Sequence, residues 1–393
     1  MSSLFGALSG ALSAAQKVVS GSQPHTRSLQ KEIRIKSLHL HPIKSCAGSS
    51  VAEAEITQEG FKYDRTWLII DAKDKKFCTA RGTPHIVRIK PTIDLQRGVL
   101  VIEVPASREE QADAESTTLE VPLDPSNEEL SRAELVSDVE IWGFLADGYA
   151  VSKEADDALS KFMGKPVRLV RKGPKVRPGG LDDPRGEESK TSFQDFHSLT
   201  VASAESLQHV QKTLVASVYP ETAQAGDMKV VNTAVESFTV PGSLNREFWT
   251  EERLSRFPIE RFRINIILES AGNNKLEPWE EDGFKRIEVF PASQASHAPF
   301  GPDARGNGVG IHVNAKCGRC LVPSVDLNTG KRDPHIPYLV LQKFRQVQPE
   351  LKKVGKPCFG VLSAPAQNTG SLRVGDVVRV VSTVDPDTRP LTK

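Results

Sequence analysis

The chain has 393 residues, 38% of them hydrophobic, and a formal net charge of +1. That length suits two domains or one domain with insertions, and it is ample for a buried core. The balanced charge excludes a global electrostatic pull toward nucleic acid or an acidic membrane surface and leaves room only for local anion pockets.

The first acidic residue is Glu32, and the segment before it is rich in Ser, Ala and Gly. Within it Leu4, Phe5, Leu8, Leu12, Ala15 and Val19 share one helical face. Such a segment fits mitochondrial targeting or peripheral membrane contact, and it fits a plain tail equally well. No basic n-region precedes the apolar residues, which argues against secretion, and no run approaches the roughly 20 apolar residues of a membrane-spanning helix. From Ile33 to Ile89 short β-rich runs alternate with turns, and Thr66–Asp71 with Lys76–Thr79 is expected to form a hairpin. Residues 105–135 are acidic and poorly patterned, and a surface loop is expected there. Ser152 is placed to cap a helix whose apolar face is Ala155, Ala158, Leu159 and Phe162, with Gly164 and Pro166 ending it. Val167–Val170 reads as a strand, residues 172–192 as a loop, and Leu199–Val201 then Ser203–Thr213 as strand and helix.

In the last third, strands are expected at Phe262–Glu269, Phe284–Phe290, Val309–Lys316, Leu321–Val325, Gly360–Leu362 and Leu372–Val381, with an amphipathic segment near Tyr338–Val347. Many short strands and few helices give a mainly β (α+β) fold, barrel-like with peripheral helices. The expected organisation is a tail over 1–30, a first domain over 31–190 and a second over 191–385, with insertions near 214–256 and 291–308.

Five cysteines, Cys46, Cys78, Cys317, Cys320 and Cys358, form an odd and sparse set that points to a reducing compartment rather than a disulfide framework. Cys317 and Cys320 form a C-x-x-C. Alone it admits a zinc site lacking its second ligand pair, a thioredoxin-like motif outside its usual strand–helix setting, or two small core thiols. Arg319 beside Cys320 favours a metal-binding thiolate. If 315–320 is extended, the two thiols point to opposite faces, so Cys317 is not expected to be a ligand. Cys46 and Cys358 are expected to fill small core sites.

The run RCLVPSVD, followed by NTG, KFR, KPCFG and GSLRVGDVVRVV, resembles the C-terminal domain of the molybdenum cofactor sulfurase (MOSC) superfamily. HPIKSC, YDRTWLIID and CTARGTP are similar to the β-barrel domain that precedes it, and the whole looks closest to the mitochondrial amidoxime reducing component branch. The resemblance implies a molybdenum–molybdopterin cofactor with Cys320 as metal ligand. It places Lys44, Ser45, Arg65, Arg263, Asn265 and Arg319 at the cofactor, with Ile264 replacing a usual proline. Where the family often has Thr-Ser or Tyr-Pro, this chain has Asp195, Phe196 and His197. The implied reaction is reduction of N-hydroxylated compounds such as amidoximes and hydroxylamines. The implied electron donors are cytochrome b5 and its NADH-dependent reductase, with a mitochondrial (outer-membrane-associated) or cytoplasmic location. The other reading is a cofactor carrier or sulfur-transfer protein without turnover.

The chemistry asks for these residue types. A pterin phosphate needs cations, and Lys supplies a point charge while Arg supplies a planar fork. Thiolate is a soft ligand suited to molybdenum. Arg263 lies inside the apolar run FRINIIL, where an unpaired cation is costly, and a buried Asn265 needs partners that a pterin edge could give. Arg81 is a weaker candidate cation. Asp326 and His197 are the nearest candidate proton donors by motif position. There is no G-x-G-x-x-G fingerprint and no iron–sulfur spacing, so electrons must come from a separate donor.

Overall fold

Alternating apolar residues build most of this chain. A computed structural model describes residues 31–108, 115–180, 184–186, 189–220, 243–297 and 308–387. The N-terminal segment, residues 221–242 of the expected insertion near 214–256 and residues 298–307 of the loop near 291–308 lie outside these.

Seven strands close a barrel. Ile33–Leu40 pairs antiparallel with Ile266–Ser270 on one side and with Val377–Thr383 on the other. The ring continues through Phe284–Phe290, Val309–Gly318, Cys358–Pro365 and Leu199–Ser203, which returns parallel to Ile266–Ser270. Closure leaves no free sheet edge in the ring. Side chains alternate across the wall. Ile33, Ile35, Val201, Ile266, Leu268, Val361 and Val378 pack together on one face, whereas Ala202, Ile267 and Phe359 meet a cluster that includes residues of the helices Ala204–Val218 and Tyr338–Phe344. Burying each such aliphatic side chain contributes roughly 1.5–3 kcal/mol. The barrel joins distant parts of the chain, because Ile33–Leu40 pairs with Val377–Thr383.

The first domain has a sheet ordered Trp67–Asp71, Val167–Lys172, Phe144–Ala150, Leu135–Ile141, and a three-stranded sheet Lys90–Asp94, Val99–Val104, Thr117–Pro122. Trp67 and Ile69 face one core and Leu68 and Ile70 another, so this strand is buried on both faces. The helix Lys153–Met163 forms as its pattern requires: the Ser152 hydroxyl accepts from the Ala155 N–H at 3.1 Å, and Gly164 ends it at φ 61°.

Several expectations are corrected. Residues 105–135 are not merely a loop: they hold the strand Thr117–Pro122 and the helix Asn127–Arg132, started by a reciprocal cap between Ser126 and Glu129. The expected pairing of Thr66–Asp71 with Lys76–Thr79 does form, through the antiparallel bridge Ile70–Phe77 and the bonds Asp71 N–H to the Lys76 carbonyl and Cys78 N–H to the Ile69 carbonyl, both 2.8 Å, although the second segment is too short to count as a strand. Leu321–Val325 is no strand, because Pro323 sits in a short 3-10 turn over Val322–Ser324. Phe262–Glu269 divides into a 3-10 turn, Ile259–Phe262, and the strand Ile266–Ser270, because Arg263 takes a left-handed φ of 57°.

Candidate functional site

Segments that flank these strands meet in one cleft. After Ile33–Leu40 the chain turns, and the Lys44 N–H donates to the Trp67 carbonyl at 2.9 Å. Ser45 then takes φ 73°. The Arg65 N–H donates to the His41 carbonyl at 2.9 Å, with Arg65 at φ 51°. Trp142 and Gly143 join two strands as a two-residue hairpin turn with φ of 52° and 84°. Of the eight non-glycine residues with positive φ among those described, Ser45, Arg65, Trp142 and Arg263 line one cleft. Backbone held in this costly region concentrates at ligand sites.

That cleft encloses about 260 Å³ between the first domain and the barrel. Lys44, Ser45, Arg65, Arg263, Asn265, Arg319 and Cys320, the residues selected from sequence, all line it. So do Arg81, Cys317 and His197, whereas Asp326 does not. Asp326 instead pairs with Arg261 and accepts the N–H groups of Asn328 and Thr329 at 3.1 and 2.9 Å, which is the work of a turn residue. Sequence reasoning missed Arg261, Trp142, Thr200 and Lys356 in the lining. Arg261 immediately precedes the apolar run FRINIIL that holds Arg263, so its position carried a usable signal; Trp142 had none. Among the described residues the cleft is lined by seven Lys or Arg side chains and a single carboxylate, Asp195. This excess of positive charge is local, because the whole chain carries only +1.

The cations differ in how they are held. Arg65 is clamped: it pairs with the fully buried Asp64 side chain, donates to Asn265 Oδ1 at 3.2 Å and to the Arg263 carbonyl at 3.1 Å. Burial alone would raise the Asp64 carboxyl, but the Arg65 guanidinium and His41 outweigh it and hold it below the usual carboxylate range. Arg263 Nη1 donates to the Cys46 carbonyl at 2.5 Å, while its buried Nη2 has no hydrogen-bond partner among the described residues. Burial and the neighbouring Arg65 charge bring Arg263 down to about 10. A buried guanidinium donor without a partner at a cleft wall is suited to an anion.

Two expectations change here. Asn265 needs no cofactor edge. Its Oδ1 accepts from Arg65, the Thr200 N–H and the Thr200 hydroxyl at 3.1–3.2 Å, and its Nδ2 donates to the His39 carbonyl at 3.1 Å. It lines the cleft while tying three segments together. Arg319 donates Nε and Nη2 to the Phe359 carbonyl at 2.9 and 2.6 Å, and Nη1 to the Phe262 carbonyl at 2.7 Å. Its guanidinium fastens the segment before Cys320 to two neighbouring elements.

Lys44 is 8% exposed and its ammonium pairs with Asp195. Burial pulls Lys44 down to about 8, although Asp195 opposes the change. Enclosure by the cleft walls opposes ionisation of the Asp195 carboxyl although its side chain is half exposed, but Lys44, the Trp142 indole and Arg81 hold it far below the ordinary range. His197 is buried, and its Nδ1 lies 3.1 Å from the Asn314 amide nitrogen.

Both Cys317 and Cys320 are partly exposed and both line the cleft, so the opposite-faces argument fails. The strand Val309–Gly318 carries a register break between Lys316 and Gly318 and ends before Cys320, which removes the simple alternation. Burial raises the Cys317 thiol, keeping it protonated. Cys46, Cys78 and Cys358 are buried. Among the described residues no three His, Cys, Asp or Glu side chains gather as a metal-ligating group, so a zinc centre finds no further ligands there.

Comparison with known proteins agrees with this geometry. A family model described as the MOSC N-terminal beta barrel domain matches residues 32–166, and one described as the MOSC domain matches residues 188–379. "Molybdenum cofactor sulfurase" of Oryza sativa subsp. japonica is 24% identical over 340 residues, covering 84% of this chain and 32% of that protein. The protein of the same name from Danio rerio is 26% identical over 337 residues, with 84% and 32% covered. "Mitochondrial amidoxime reducing component 2" of Rattus norvegicus is 25% identical over 359 residues, covering 90% of this chain and 84% of that protein. The chain thus spans about a third of the length of these sulfurases and most of the amidoxime reducing component.

Proposed function

The chain belongs to the MOSC superfamily, and from that premise we propose that it is a molybdenum-cofactor-dependent reductase of N-hydroxylated compounds, amidoximes and hydroxylamines among them. The observation that carries this reading is one cleft lined by a partly exposed thiol, Cys320, and by a surplus of cations, among them Arg263 with a guanidinium nitrogen that has no partner among the described residues. Those features fit a cofactor that carries a phosphate and a soft metal. When bound, the molybdenum supplies the two-electron chemistry that cleaves an N–O bond, with the oxygen leaving as water.

The chain's own residues have distinct tasks. Cys320 is the metal ligand. Lys44, Arg65 and Arg263 take the phosphate, with Ser45 as a nearby donor. Asn265 and Arg319 hold Arg65 and the Cys320 segment in place through the bonds given above. His197 stands at the cleft wall as the candidate proton carrier. Electrons come from a separate donor, cytochrome b5 with its NADH-dependent reductase, and the N-terminal segment directs the protein to mitochondria or to a membrane surface. Among the described residues no helix is long and apolar enough to cross a membrane.

Similarity to molybdenum cofactor sulfurases favours a second reading, a cofactor carrier or sulfur-transfer protein without turnover. Benzamidoxime with a reduced dye or reduced cytochrome b5 separates the two. The reductase converts it to benzamidine catalytically, and Cys320→Ser abolishes this. A cofactor-loaded wild-type chain that gives no turnover with either donor would leave the carrier reading in its place.

A further inference from the structure

Asp195 is the one acid lining a cleft of cations among the described residues, and its setting is specific. Its Oδ1 accepts from the Lys44 ammonium and, at 2.9 Å, from the Trp142 indole N–H. Its Oδ2 lies 3.9 Å from an Arg81 guanidinium nitrogen, and that guanidinium stacks 4.5 Å over the Trp142 ring. An ammonium, an indole N–H and a guanidinium around one pair of oxygens is the donor set that a phosphate would take. The backbone below is fixed. Arg177, 1% exposed, donates to the carbonyls of Ser192 at 3.1 Å, Gln194 at 2.5 Å and Asp195. The Asp195 side chain, by contrast, is 48% exposed to the cleft. The carboxylate can therefore leave its donors by side-chain rotation alone.

We propose that Asp195 is a resident counter-anion of this subsite: its carboxylate competes with the anionic group of the ligand for Lys44, Trp142 and Arg81, and so limits how tightly the cleft holds a dianion. The inference rests on the reading of the cleft as a site for a phosphate-bearing cofactor. A carboxylate and a phosphate cannot share these donors without like-charge repulsion in a partly desolvated place. In the ligand-free chain the same carboxylate offsets the clustered cations, which would otherwise repel one another.

The test uses the full chain without cofactor and inorganic sulfate, a dianion at every pH used, followed by thermal-shift titration at pH 6. Asp195→Asn keeps the shape and removes the charge. Sulfate is expected to bind at least about tenfold tighter, equivalent to about 1.4 kcal/mol. Asp195→Ser should show the same direction, which preserves the test if the Asn variant folds poorly. In a Lys44→Gln background the gain from Asp195→Asn should largely disappear, because the contested donor is gone. A second arm follows molybdenum release from the loaded chain during dialysis against sulfate, which Asp195→Asn should slow. Unchanged or weaker sulfate binding in both Asp195 variants overturns the inference, as does faster or unchanged molybdenum release. Molybdenum retained by Cys320→Ser would instead overturn the cofactor reading, leaving the sulfate titration to judge Asp195 by itself.

Discussion

Replacing Arg65 by Met is expected to damage the fold as much as the site. The Asp64 side chain it pairs with has no accessible surface, and Arg65 itself is only 12% exposed. Removing one partner of such a pair costs about 3–5 kcal/mol, because the other charge stays buried and uncompensated. Asp64 keeps one bond, from the His41 N–H at 2.8 Å, while the substitution also strips a donor from Asn265 Oδ1 and from the Arg263 carbonyl. A loss of about 3–5 kcal/mol is therefore the expected result. Urea unfolding of the cofactor-free chain, followed by the fluorescence of its four tryptophans, measures it. The pH dependence carries a sign. The folded-state carboxyl of Asp64 is held below its unfolded value, so its contribution is present above about pH 4 and fades as the pH falls through the lower folded value. The gap between wild type and Arg65→Met should therefore narrow in acid. A loss below about 1 kcal/mol at neutral pH, the scale of an exposed pair, would refute the reasoning.

Lys44→Gln should behave in the opposite way. Its partner Asp195 is half exposed, so unfolding free energy changes by less than about 1 kcal/mol while molybdenum retention on gel filtration drops sharply. Because Lys44 titrates near 8 and binds an anion only when charged, wild-type retention should fall between pH 7 and 9.5, whereas Lys44→Gln is poor at both. Arg319→Met leaves the Phe262 and Phe359 carbonyls without their donor, and a stability loss of about 2–3 kcal/mol in urea is expected together with reduced metal content. Stability within about 0.5 kcal/mol of wild type would show that the carbonyls find other partners.

The barrel was readable because its strands alternate: Ile33 and Ile35 face one core with the exposed Arg34 between them, and Val201 and Ala202 face two apolar surfaces. The helix from Lys153 was readable from Ser152 and Gly164, and the cap formed by Ser126 and Glu129 was present but overlooked inside an acidic stretch. Local backbone breaks were not legible. The left-handed Arg263 cut one expected strand short, and the register break at Lys316–Gly318 turned Cys317 toward the same cleft as Cys320. The site residues could be selected one by one, through resemblance and through the oddity of Arg263 in an apolar run. Their convergence depends on contacts spanning much of the chain, such as Arg65 with Asn265 and Lys44 with Asp195, which no local pattern encodes. Roles were harder still. Asn265 and Arg319 satisfy their polar groups within the protein, which only the coordinates of their partners reveal.

The most direct test is elemental analysis of the full chain made in a host that synthesises the pterin cofactor, beside Cys320→Ser prepared identically. Wild type should carry molybdenum and pterin in stoichiometric amounts, and the variant should lose the metal while unfolding at the same midpoint as the cofactor-free wild type. Wild type devoid of molybdenum, or a Cys320→Ser protein that holds it as well as wild type does, would contradict the account.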